Sequence, residues 1–405
     1  IAFCEKLCAE DLDGNALISN ATHLRGSANW IRFPRVICNT WVHHETIAGK
    51  SVPIVLMGDA AHTAHFSIGS GTKLALEDAI DLANEFATGL PNGLPMDDVL
   101  QHYEARRSVE VLKIQNAARN STEWFENVDR YAGMEIEQFA YTLLTRSQRI
   151  SHENLRLRDA AWLEGYEAWL AGAKTAVPPM LTPFKVVHLT LKNRIVVSPM
   201  ATYSAVDGVP QDFHLVHLGA RALGGAALVM VEMTSPTPEG RITPACTGLW
   251  DDAQQAAFTR LVDFVHGSSS AKIGLQLGHS GPKGSTRVGW EGTDEPLEQG
   301  NWPLLAASPL AYGPQNPTPA AMTRADMDTL TAAFVASARR AVACGFDWLE
   351  LHFAHGYLLA SFISPLTNQR TDAYGGTLAN RCRYPLEVFT ALRSVWPQDK
   401  PLSVR

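Results

Sequence analysis

Charge is scarce in this sequence. Only 19% of its 405 residues are charged, the net charge is −7, and no run of Lys or Arg occurs. Nothing therefore offers a basic surface to nucleic acid. Cysteine is sparse and scattered: Cys4, Cys8, Cys38, Cys246, Cys344 and Cys382 form no C-x-x-C pair. That excludes a disulfide framework and reads as reduced thiols in a cytoplasmic protein. No apolar run approaches about 18 residues, so no membrane span is expected. A starting methionine is also missing. The chain opens on Ile1 and stops at Arg405 directly after an expected strand, and both ends read as cut.

What is present is a core. Hydrophobic residues make up 46%, which marks a folded chain, and the length implies about two to three domains. The stretch WLELHFAHGY, residues 348–357, begins as a buried parallel strand with Trp348, Leu349, Leu351 and Phe353. It then places His352, His355 and Tyr357 at the strand's C-terminal end, where a barrel of alternating strands and helices carries its chemistry. Two imidazoles and a phenol can grip and protonate a small carbonyl compound. Read as zinc ligands, the two histidines lack a third partner at a fixed spacing, so no metal is expected.

In the first half, the apolar run at 51–57 leads into Gly58-Asp59-Ala60-Ala61-His62, then Gly69-Ser70-Gly71 and a helical stretch. Glycines at a helix start let backbone N–H groups approach a ligand, and the helix dipole favours an anion or an electron-rich ring edge. Asp59, ending the strand, can accept hydrogen bonds from a polyol. From Met96 to Gly172 the period is helical: Leu100, Tyr103, Arg107, Val111 and Ile114 recur at three and four. The arginines of these helices (Arg106, Arg107 and Arg119) are expected on solvated faces.

Three prolines within residues 173–183 break that pattern, which places a linker at 173–182. Beyond it, strands at 195–200, 228–233, 272–277, 348–353 and 401–405 alternate with helices at 213–223, 251–266, 325–344 and 385–395. Thr323-x-x-Asp326 is a capping box. Alternation at this spacing means parallel pairing in a (β/α)8 barrel or a doubly wound sheet. Chemical residues after several different strands favour the barrel.

GDAAH followed by GSGTKLALEDA resembles the second FAD-binding motif of the single-component aromatic flavin monooxygenases, closest to the subgroup acting on aryl-coenzyme A thioesters. The resemblance implies that Asp59 contacts the ribityl chain of FAD, with Gly58 beside it in the cofactor site, and that Gly69 and Gly71 face the flavin ring. Phe66 and Lys73 depart from the family's usual proline and asparagine. The first dinucleotide-binding motif is absent, which puts the adenine half of that site upstream of Ile1.

The second half resembles the old yellow enzyme family through LKNRIVVSPMATYS, EGRIT, KIGLQLGHSG, LELHFAHGYLLASFISPLTNQRTDAYGG and Asn380-Arg381. The resemblance implies FMN lying along Ser198, Pro199, Met200 and Ala201, with Met233 beside it. It puts Gln276 at the pyrimidine edge and Arg405 near the N1/C2 carbonyl. His352 and His355 would donate to a substrate carbonyl that Tyr203 flanks, and Tyr357 would deliver the proton. Bacterial members often carry cysteine where Ala201 stands, and the phosphate-binding loops after strands seven and eight are expected beyond the chain's end.

The expected fold is therefore α/β. Residues 1–172 would be the C-terminal part of an FAD monooxygenase domain, and 183–405 the first five strands of an old-yellow-enzyme (β/α)8 barrel. The implied function is hydroxylation of an aryl-CoA thioester (2-aminobenzoyl-CoA or salicylyl-CoA) with FAD, O2 and NAD(P)H, then reduction of the dearomatised product by FMN. The alternatives are an FMN ene-reductase with a relic N-terminal module, or an inactive fragment. The expected partner is the small-molecule substrate, and self-association stays open.

Overall fold

The computed structural model describes residues 2–16 and 36–405; Arg35, in the apolar run at 35–43, lies outside them. Two compact units divide between Tyr166 and Glu167.

The first unit contains α1 (Ala2–Leu7) and an antiparallel hairpin of β1 (Val42–Ile47) and β2 (Lys50–Val55). Ala48 and Gly49 close it, both with positive φ, the backbone that matches the twist of paired strands. The helices are α2 (Gly71–Gly89), α3 (Met96–Glu126), α4 (Asp129–Ala132), α5 (Ile136–Thr145), α6 (His152–Arg158) and α7 (Ala160–Ala171), the last running across the division. Trp41, Ala61, Leu74, Tyr103, Val111 and Ile114 form the core. Arg106 and Arg119 are exposed as expected, but Arg107 is only 6% exposed. It lies one turn from both Tyr103 and Val111, on the stripe that faces the core. Its charge is accepted there by Asp78, at 2.8 Å from Nε.

The second unit starts with a hairpin of β3 (Phe184–Val186) and β4 (Leu189–Leu191). It continues as β5 (Val196–Val197), α8 (Asp212–Leu223), β6 (Leu228–Thr234), α9 (Asp252–Ser268), β7 (Lys272–Leu277), α10 (Gly289–Gly292), β8 (Leu305–Ala306) and β9 (Ala320–Ala321). Then follow α11 (Arg324–Cys344), β10 (Trp348–Leu351), α12 (Leu358–Ile363), α13 (Leu378–Val395) and β11 (Leu402–Val404). Strands β5, β6, β7, β10 and β11 lie side by side in chain order, and every pair is parallel. Side chains of α8, α9, α11 and α13 build one continuous core with this sheet through Phe258, Phe334, Leu275, Leu349 and Trp396. On the other face, Leu191 of the hairpin meets Leu228, Met230 and Trp348. Sequential order with no reversal is barrel progression, not the switch-point order of a doubly wound sheet.

Two expected boundaries move. Strand β5 is shorter than 195–200 because it pairs on one side only, with β6. Helix α13 begins at Leu378, not Pro385. Thr377 caps it by accepting the Asn380 N–H, so Pro385 lies inside the helix. Among the described residues no helix is long and apolar enough to cross a membrane.

Candidate active site

Sheet pairing runs past the end of β10. The His352 N–H donates to the Leu277 carbonyl, the Phe353 N–H to that of Arg405 and the Arg405 N–H to that of Leu351, each at 2.9 Å. His355 and Gly356 then take positive φ and turn the chain into Tyr357, the N-cap of α12. Gly281, after β7, also needs its glycine: its φ is +62°, and a Cβ would lie 2.6 Å from the Leu358 nitrogen. The loop after β7 is thereby locked onto the start of α12.

This turn brings His355 Nδ1 to 3.0 Å from His352 Nε2. The Ala354 N–H donates to His352 Nδ1 at 3.1 Å, so neutral His352 carries its proton on Nε2 and gives it to His355. His352 is the buried member of the pair and His355 the exposed one. His352 is 3% exposed, and burial, helped by the charges of His355 and Arg405, pulls its pKa down to about 4. Burial thus keeps His352 neutral at physiological pH.

The Tyr357 ring stands 4.9 Å from that of His352 at 79°. Burial first, then the neighbouring Tyr203 and Cys246, push its hydroxyl well above the ordinary range. Tyr203 and Tyr357 pack on a buried cluster of Met233, Ile242 and Cys246. Burial likewise lifts Tyr203 to about 12 and Cys246 to about 11. His352, His355, Tyr357, Tyr203 and Met233 are thus gathered at one place.

The remaining residues expected around FMN divide. Ser198, Pro199 and Arg405 line a cavity of about 330 Å³ between the sheet and the β3–β4 hairpin, with Phe184, Leu191, Met230, Trp348 and Glu350 among its walls. Met200 and Ala201 are exposed beyond the end of β5. Gln276 is buried, and its Nε2 donates to Glu350 Oε1 at 2.8 Å. Glu350 also accepts from the Ser403 hydroxyl, which in turn accepts from Trp348 Nε1. The cavity is mainly apolar, with Arg194, Arg405 and Glu350 as its charged walls, and neither Gln276 nor Met233 lines it.

Sequence reasoning missed three contributors. Buried Glu232 accepts from the Thr202 N–H and hydroxyl, both at 2.7 Å, and from His214 Nε2 at 2.8 Å. Its signal was a carboxylate inside the apolar run LVMVEMT. Glu350 sits likewise within WLEL. Lys283 places its ammonium 4.3 Å from the Tyr312 ring centre and 5.6 Å from that of Tyr357; nothing in the sequence distinguished it.

In the first unit, Gly58 has φ +56° and donates its N–H to Asp78 Oδ2 at 2.9 Å; His62 Nε2 meets the same oxygen at 2.7 Å. Burial would raise the Asp78 pKa, but hydrogen bonds from His62, Gly58 and Arg107 hold it below the usual carboxylate value. This anchor leaves Asp59 exposed in a short 3-10 turn. Gly69 ends the next turn at φ +62° and Gly71 opens α2; a Cβ at either meets nothing within 4 Å. The N-cap Ser70 makes no side-chain cap, so the first N–H groups of α2 stay open to a ligand.

Residues 179–405 match the NADH:flavin oxidoreductase / NADH oxidase family. An NADH:flavin oxidoreductase of Gibberella zeae is 42% identical over 241 residues, 58% of this chain and 58% of the relative. An NADPH dehydrogenase of Geobacillus thermodenitrificans is 43% identical over 230 residues, 56% of this chain and 62% of the relative. The solved Old Yellow Enzyme from Pichia sp. AKU4542 superposes with a TM-score of 0.50 at 28% identity, over 58% of this chain and 60% of that one. The chain thus spans about three-fifths of the length of these relatives.

Proposed function

The chain belongs to the NADH:flavin oxidoreductase / NADH oxidase family, and from that premise we propose that it serves FMN-dependent transfer of hydride from NAD(P)H to an activated carbon–carbon double bond. The observation that carries this reading is the hydrogen-bonded His352–His355 pair beside the protonated Tyr357 hydroxyl. Ser198, Pro199, Met233, Gln276 and Arg405 would hold FMN, which supplies the hydride when bound; Met200 and Ala201 would meet it at the rim. A preorganised imidazole N–H stabilises an oxygen as negative charge develops on it. Tyr357, kept protonated by burial, holds the proton that the substrate carbon needs. Tyr203 walls the pocket.

Tyr357→Phe tests this by stopped flow with a simple cyclic enone. The half-reaction that protonates substrate should slow by roughly 10²–10⁴, with flavin reduction by NADPH near normal. Equal losses in both halves, following a lowered melting temperature, would overturn the assignment.

The exposed Asp59 and the open Gly69–Gly71 helix start support a second reading, in which the first unit helps to hold FAD. The whole protein would then hydroxylate an aryl-CoA thioester, such as 2-aminobenzoyl-CoA or salicylyl-CoA, before reducing it. One FAD and one FMN bound per intact protein would support it; FMN alone would leave the ene-reductase reading standing.

A further inference from the structure

We propose that the first unit carries a second binding site, for a phosphate monoester borne on an apolar body, in a cavity beside α5 and α6. The cavity measures about 310 Å³, the lower end of the roughly 300–1,000 Å³ typical of small-molecule sites. Arg146, Arg149 and Arg158 line it with Ile68, Leu144 and Ile150, and no acidic residue does. Three cations and three aliphatic side chains around one hollow describe an amphiphilic anion.

The cations are not spent elsewhere. Arg106, Arg107, Arg119 and Arg156 pair with carboxylates, whereas Arg149 and Arg158 form no ion pair among the described residues. Arg146 is held in place: its Nε donates to the Ser121 hydroxyl at 3.1 Å, its Nη1 to the Leu143 carbonyl at 2.7 Å, and its guanidinium lies 5.2 Å from the Phe125 ring centre. That leaves Nη2 for a ligand from a guanidinium already fixed, which lowers the ordering cost of binding.

Phosphate suits this set better than carboxylate. A guanidinium fork matches two oxygens of an anion, and the two free forks of Arg149 and Arg158 together with Arg146 Nη2 exceed what two carboxylate oxygens can accept. A phosphate monoester offers three terminal oxygens and close to two charges at pH 7. Ile68, Leu144 and Ile150 supply contact for an apolar body, which free phosphate lacks. A simpler account exists for two of the arginines: Arg146 is the C-cap of α5 and Arg158 the last residue of α6, where cations offset the helix dipole. It does not account for Arg149, in the loop between them, or for the hollow they share.

The test titrates phenyl phosphate, benzoate and inorganic phosphate separately into the full chain by calorimetry at fixed ionic strength. Phenyl phosphate should bind saturably, and more tightly than either of the others. The double variant Arg149→Gln/Arg158→Gln should weaken it at least tenfold, whereas Arg119→Gln, on an exposed pair, should leave it unchanged. Absence of saturable binding to the unaltered chain overturns the proposal. So does a double variant that melts earlier yet binds equally well, since that outcome assigns the arginines to helix ends alone. Benzoate binding as tightly as phenyl phosphate would refute the dianion, and inorganic phosphate doing so would refute the apolar body.

Discussion

Glu232 is a carboxylate buried within β6, held by the Thr202 N–H, the Thr202 hydroxyl and His214 Nε2. The Gln211 N–H donates to His214 Nδ1, which leaves the His214 proton on Nε2, pointing at Glu232. Replacing the carboxylate by an amide turns one acceptor into a donor facing donors, which costs about 1–3 kcal/mol. Glu232→Gln should therefore lower the melting temperature by roughly 2–12 °C in a unit of this size. An unchanged calorimetric transition would show that the network contributes nothing. Reach along the chain decided what could be read at this scale. His352, His355 and Tyr357 lie within one turn of sequence, so their grouping was legible. The hydrogen bond from Gln276 to Glu350 joins residues 74 apart, and which donor occupies a buried amide cannot be inferred from spacing.

At the scale of elements, the clearest reading came where burial is two-sided. Strands β6 and β7 are covered on both faces and read as mainly apolar runs, broken inside only by Glu232 and Gln276, and their expected limits fall within a residue of those found. Edge strand β5 misled because pairing on one side is a tertiary fact, whereas in α13 Pro385 reads as a helix start although Thr377 supplies a local cap eight residues earlier. The first unit shows the same limit. Its strand–turn–helix order was legible, but the anchor that holds Gly58 to α2 and α3 was not. Asp78 is fully buried and serves Gly58, His62 and Arg107, which are 20, 16 and 29 residues away. Removing one member of a buried pair typically costs about 3–5 kcal/mol because the other charge is stranded. Asp78→Ala should thus speed hydrogen exchange at residues 58–62 and along α2 and α3, with β6 and β7 unaffected. Exchange that stays the same throughout would mean that Arg107 and His62 find other partners.

Across the whole molecule the two units should answer acid differently, because different groups are buried in them. In the second, His352 and His279 are each 3% exposed and pulled down to about 4. Burial is the sole cause for His279, whose Nδ1 accepts the Gly281 N–H. A histidine whose folded pKa lies below its unfolded value of 6.5 leaves the unfolded chain binding more protons between those two values. Its stabilisation is complete above pH 6.5 and is lost as pH falls toward 4. For His279 alone that displacement is worth roughly 3 kcal/mol. In the first unit the displaced group is Asp78, with a folded pKa below its ordinary 3.8. Its contribution is present above pH 3.8 and fades only as pH falls through the folded value. Acidification should therefore loosen β6, β7 and α12 between pH 6.5 and 4.5 while α2 and α3 stay protected. Hydrogen exchange followed by mass spectrometry at each pH, corrected for the intrinsic rate, reads the order directly. Loss of α2 protection first, or of both regions at one pH, would show that these buried groups do not govern the acid response.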